Sequence, residues 1–137
     1  MITIEKEEYK DYHGIDLDLE LEGLDDESNK VERTILLWTK RVYKEMRKLS
    51  TKPIPTDDKL TDIQVVAIKE AILEYGAYYL KNGDLHHQSG FSEDKGQIIQ
   101  RDELDKLLFP DEIVDSLRKV GLITRNFGRT SYYGDLY

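Results

Sequence analysis

A mostly α-helical fold, a small bundle of two long helices with shorter helices toward the N- and C-terminal ends, follows from three observations. Apolar residues recur at three- and four-residue steps through Val31–Leu49 and again through Val65–Leu80. Pro53, Pro55 and the pair Asn82-Gly83 cut the chain where those stretches end. Thr61, followed three residues later by Gln64, forms a helix-starting capping box. An extended loop and a C-terminal arm complete the expected architecture, with residues 1–121 as the helical domain and residues 122–137 as the arm.

The first element is read as a short helix from Thr3 to about Tyr12. Thr3 can cap it, Glu5, Glu7 and Glu8 suit the positive end of its dipole, and His13-Gly14 stops it. In the next run, IDLDLELEGL, Ile15, Leu17, Leu19 and Leu21 alternate with Asp16, Asp18, Glu20 and Glu22. Strict alternation predicts an extended segment with one buried face, although acids are poor strand formers. A calcium loop would need a glycine at its sharp turn and acids at defined positions, and this spacing supplies neither.

The second helix starts near Asp26 or Ser28 and ends near Leu49. Val31, Ile35, Trp38, Val42, Met46 and Leu49 form its apolar stripe, widened by Leu36, Leu37 and Tyr43. Trp38, the only tryptophan, lies on that stripe and is assigned to the core. STKPIPTDDK is a loop, since its prolines block a helix. In the third helix Val65, Ile68, Ile72, Tyr75 and Tyr79 continue to about Leu80. Leu60 can staple onto Val65, Ala67, Ala71 and Ala77 allow close approach, and Gly83 suits the left-handed stop. Asp84 to Gln100 is a loop. A closing helical region covers Asp102 to Val120 and is divided by Pro110, which suits a first helical position. Ile113, Val114, Leu117 and Val120 face inward there, and Gly121 ends the helix.

The 137 residues make one domain with one core. With no cysteine there is no disulfide framework, thiolate nucleophile or Cys-based zinc site. No apolar run approaches the roughly 20 residues that span a bilayer, so no membrane association is expected. The opening MITIEKEEYK does not read as a signal peptide.

The net charge is −8, so the surface as a whole should not grip nucleic acid. The signs are segregated along the chain. Met1 to Asn29 is densely acidic, Lys30 to Lys59 carries Lys40, Arg41, Lys44, Arg47, Lys48 and Lys52, and the tail from Arg118 is basic. This order suits head-to-tail contact between copies, or a partner of mixed charge. For any single run, a solvated surface is the simpler reading.

Asp84, His86 and His87 could in principle take a metal or move a proton. A stable site needs further ligands, and His13 is the only other histidine. Two polar loop residues at a protein contact is the better reading. Neither a nucleophile elbow nor a phosphate-binding loop nor a zinc-protease motif occurs, so neither enzymatic activity nor a cofactor is expected. In the tail, Arg125, Phe127, Arg129, Tyr132, Tyr133 and Tyr137 interleave cations with aromatics. That pattern can stack on bases, but it equally anchors protein interfaces, which suit so acidic a chain better.

Several segments, taken in order, resemble the head–tail connector (adaptor or head-completion) proteins of tailed bacteriophages. ITIEKEEYKDYHGIDLDLEL resembles that family's short first helix and acidic lead, and SNKVERTILLWTKRVYKEMR its first long helix. LTDIQVVAIKEAILEYGAYYLKNGDL resembles the second long helix with its NGD-type stop. HHQSGFSEDKGQIIQ is similar to the SG-containing loop, and LDKLLFPDEIVDSLRKVGLITR to the closing helix. Phe109-Pro110-Asp111-Glu112 departs from the family in being more acidic than its usual small-residue helix start.

The resemblance implies a structural adaptor of the phage neck, a homo-oligomeric ring and commonly a dodecamer. It would join the portal protein to the next neck protein, a stopper or tail-completion component. Double-stranded DNA would pass only as non-specific cargo in the channel. Location would be the virion neck, with the host cytoplasm during assembly. By the same resemblance, Arg125, Phe127, Arg129, Tyr132, Tyr133 and Tyr137 would dock on the portal. Asp84, His86, His87, Ser89, Phe91 and Gln97 would form the loop between components. The charge blocks add ring contacts: Lys40, Arg41, Lys44, Arg47 and Lys48 against Asp16, Asp18, Glu20 and Glu22. Two rivals remain, an acidic regulatory module that binds a basic protein as a nucleic-acid mimic, and a metal-dependent enzyme built on Asp84, His86 and His87.

Overall fold

A computed structural model describes residues 1–21, 30–83 and 109–124, and every regular element within them is helical. In chain order these are α1 (Lys6–His13), α2 (Leu17–Leu21), α3 (Lys30–Lys48), a 3-10 turn (Asp57–Lys59), α4 (Asp62–Asn82) and α5 (Asp111–Lys119). The expected small helical bundle is what forms. α4 is central and packs on both α3 and α5, while α1 and α2 close over α3.

The core is the meeting of three apolar stripes. Trp38, Val42 and Met46 from α3 face Ile68 and Ile72 from α4, and Val114 and Leu117 of α5 close the other side of α4. Tyr75 of α4 stacks on Phe109, with ring centroids 4.7 Å apart. Tyr9 of α1 is fully buried, its ring 5.8 Å from that of Trp38.

Helix α1 starts later than its acidic lead suggests. Glu5, not Thr3, is the N-cap, and its backbone N–H donates to Glu8 Oε1 at 3.0 Å. Ile4 is drawn into the core, which holds the chain before α1 along α3. There the Ile2 N–H donates to the Tyr43 hydroxyl at 2.8 Å, and the Thr3 and Thr39 hydroxyls meet at 2.7 Å. Gly14, at φ 74, ends α1 as expected.

The alternating acidic segment is not extended. Residues Leu17–Leu21 form a helical turn, begun where the Asp16 carboxylate accepts from the Asp18 N–H at 2.9 Å. Burial follows the helical period: Leu17 is buried, Leu21 half-buried, and Leu19 is 69% exposed. A strand would have put all three leucines on one face. Acids favour a local side-chain-to-backbone bond over a ladder, and that preference wins here.

The start expected for α3 near residues 26–28 lies outside the described residues, as do the loop at 84–100 and residues 102–108 of the closing region. The α4 cap matches its prediction: Thr61 Oγ1 accepts from Gln64 N at 3.2 Å, and the Thr61 N–H donates to Gln64 Oε1 at 3.1 Å. Gly83 ends α4 at φ 79 and ψ −172, a conformation essentially reserved for glycine. Pro110 is the N-cap of α5, one residue before the first helical position expected for it, because its ψ of 148 is extended.

Gly121 closes α5 at φ 83 in a Schellman arrangement. Its N–H donates to Arg118 O, and Leu122 N–H donates to Leu117 O, both at 3.0 Å. The packed body does not stop there. Leu122 and Ile123 are buried, Ser50 Oγ donates to Leu122 O at 2.6 Å, and Thr124 N–H donates to Leu49 O at 3.2 Å. Residues 122–124, the start of the expected arm, thus pack on the helical body.

Candidate functional site

Acidic side chains from α1 and α2 gather beside the N-terminal half of α3, which itself carries Lys30, Glu32 and Arg33. There residues 3–7 and Asp18 of α2 line a cleft against Val31, Glu32, Ile35 and Leu36, with a volume of about 570 Å³. Its floor is apolar, from Ile4, Val31 and Ile35, and its rim carries Glu5, Glu7, Asp18 and Glu32. Among the described residues the only cation lining it is Lys6, whose ammonium sits 2.9 Å from Asp18 Oδ2. The hydrogen bond and charge of Asp18 push the Lys6 ammonium above its ordinary range. Leu36 lines this cleft and is 44% exposed.

Toward the C-terminal end of α3, Lys40, Lys44 and Arg47 are exposed and separated by four and three residues, so they form one outer strip. At 1.5 Å of rise per residue, the strip and the cleft are centred roughly 15 Å apart along the helix. Two of the predicted ring cations are engaged within the fold. The Arg41 guanidinium donates to the Tyr75 hydroxyl at 3.2 Å and lies 6.0 Å from the Tyr79 ring centroid, tying α3 to α4. Lys48 lies 4.0 Å from Glu45 of its own helix. Asp16 is half-buried and occupied in starting α2, while Glu20 is exposed. Glu22 lies outside the described residues.

The predicted portal-docking residues Arg125, Phe127, Arg129, Tyr132, Tyr133 and Tyr137 also lie outside them, as do Asp84, His86, His87, Ser89, Phe91 and Gln97. His13 is a structural residue. One ring nitrogen, Nε2, lies 2.9 Å from the Leu73 carbonyl, and the ring packs between those of Tyr9 and Tyr12. No cluster able to hold a metal occurs among the described residues, and none of their helices is long and apolar enough to cross a membrane.

Around α1 and α4 lies a set of polar ties. The Tyr12 hydroxyl donates to Glu74 Oε2, and Lys69 Nζ to Glu8 Oε2, both at 2.9 Å. The bond to Glu74 pushes the Tyr12 phenol up to about 12. Burial pushes the Glu8 carboxyl up, but the Lys69 ammonium and the Glu5 N–H more than reverse this, leaving it below the ordinary carboxylate range.

Comparison of the chain with models of protein families, with curated proteins and with solved structures finds no match in any of the three. The sequence reading missed the cleft, because it assigned Leu36 to the apolar side of α3. A signal was present: three of the four helical neighbours of Leu36, Glu32, Arg33 and Lys40, are charged, which marks an outward position.

Proposed function

We propose that this chain is a structural adaptor of a bacteriophage neck. Copies form a ring that joins the portal to the next neck component and continues the DNA channel. One observation carries the reading: the opposition, along α3, of the acidic cleft rim and the outer strip of Lys40, Lys44 and Arg47. A surface with opposite charges at its two ends favours head-to-tail contacts, and such contacts close into rings when the rotation allows. The helical scaffold fits the same role, as does an overall charge of −8, which discourages DNA from adhering to the channel wall. Residues 125–137 are the portal-docking arm of this proposal.

The test is imaging of the full-length protein mixed with its portal, beside a version ending at Thr124. The whole chain should decorate the portal as a ring, and the truncated chain should not. Equal decoration by the two would remove the arm's role. A compact complex with a basic protein, with no ring under any condition, would favour the acidic regulatory module.

A further inference from the structure

The cleft at the N-terminal half of α3 has apolar surface at its base and carboxylates at its edge. Such a site suits a segment that carries aromatic side chains between cations. Residues 125–137, RNFGRTSYYGDLY, have that composition: Arg125 and Arg129 flank Phe127, Tyr132 and Tyr133 follow, and Asp135 is the lone acid. From these matches we infer that the cleft is the seat of residues 125–137 from a second copy of this chain. The inference goes beyond portal docking and needs only that copies associate.

For the two arginines, reach selects a second copy over the same chain. Thr124 is held at the far end of α3, where its N–H donates to Leu49 O and its hydroxyl accepts from Thr51 N–H at 2.8 Å. From Leu49 back to Glu32 is about 25 Å along the helix. A chain pulled straight from Thr124 carries Arg129 about 17 Å, short of that level. In a neighbour, the cleft can meet the arm without that constraint. The exposed Leu36 then gains apolar cover, and Glu32, Glu5 and Glu7 gain cationic partners.

The test titrates full-length protein against a fluorescently labelled peptide of residues 125–137 and reads its anisotropy. Saturable binding that weakens with added salt is expected. Glu32→Lys and Leu36→Asp should each weaken it about tenfold, which corresponds to about 1.4 kcal/mol. Both positions are exposed, so circular dichroism and melting temperature should hold. No saturable binding, or binding indifferent to both substitutions, overturns the inference. Sedimentation velocity supplies the second readout. Glu32→Arg and Arg129→Glu should each reduce the mass of the assembled species, and a mixture of the two variants should restore it. A wild-type chain that stays monomeric at every concentration, or variants that assemble as it does, also overturns the inference. A chain that binds the peptide yet leaves the portal bare would refute the neck role and leave this contact standing.

Discussion

Gly76 of α4 lies so close to the Trp38 indole that it has no room for a side chain. A Cβ built on Gly76 would fall 2.6 Å from Cζ3 and 2.7 Å from Cε3 of that ring. Tyr9 and Tyr79 pack on the same indole at centroid distances of 5.8 Å, so the ring cannot retreat without disturbing both. This α3–α4 contact thus depends on a glycine inside a helix, where glycine itself costs about 1 kcal/mol relative to alanine.

Gly76→Ala should therefore destabilise the fold despite its better helix propensity: overpacking a core typically costs about 1–3 kcal/mol, and about 1 kcal/mol regained in propensity leaves a net cost of up to about 2 kcal/mol. Urea unfolding followed by far-ultraviolet circular dichroism measures it. Trp38→Phe in the same background should recover about 1 kcal/mol beyond additivity, because the clashing ring edge is gone. Trp38 Nε1 has no hydrogen-bond partner among the described residues, so the replacement leaves no acceptor behind.

The α4 cap carries a second prediction. Thr61→Ala should cost about 1 kcal/mol, the usual worth of a capping side chain. Gln64→Ala should cost more than Thr61→Ala. Besides accepting from Thr61 N–H, Gln64 Nε2 donates to Val120 O at 3.0 Å, tying the start of α4 to the end of α5. Thermal melts of the two single variants distinguish these outcomes.

Alkaline stability should follow Tyr12. The bond to Glu74 holds its phenol at about 12, above the ordinary 10.0, so folding favours the neutral form. That contribution is fully present below pH 10 and is lost as pH rises from 10 toward 12. Urea midpoints should fall across that window, and Tyr12→Phe should fall less steeply. Tyrosinate absorbance should show Tyr12 ionising late, together with Tyr9, which burial also pushes up to about 12.

Reversing the outer strip should separate assembly from folding. Lys40→Glu, Lys44→Glu and Arg47→Glu each replace an exposed side chain, so the cost to stability should stay within about 0.5 kcal/mol apiece. The combined variant should lose the ring while keeping its melting temperature. Arg41→Ala should behave oppositely, losing stability through its contacts with Tyr75 and Tyr79.

Two truncations should differ sharply. Ending the chain after Gly121 removes Leu122 and Ile123 from the core, and losing a buried aliphatic side chain costs about 2–5 kcal/mol. Ending it after Thr124 keeps both side chains, together with the bonds to Ser50, Thr51 and Leu49. Chemical denaturation should place the shorter form well below the longer one.

Much of this architecture was legible before any coordinates. Trp38, Val42 and Met46 lie in the core at the spacing that marked them, Thr61 and Gln64 make both bonds of the predicted box, and Gly14, Gly83 and Gly121 take positive φ where helices end. The candidate site was less legible. Lys40, Lys44 and Arg47 emerged as a strip, but Arg41 turned inward to two tyrosines and Leu36 turned outward beside a cleft.

The sequence by itself determined the helical class, the two long apolar stripes, the caps and stops, and the segregation of charge. Each of these depends on residues within a turn or two of one another. Tertiary structure decided that Gly76 meets an indole, that Leu122 and Ile123 belong to the core, and that residues 3–7 lie along α3 and enclose a cleft. Those outcomes depend on which distant surface a residue meets. No short-range period encodes that choice, because burial depends on the partner as well as on the residue.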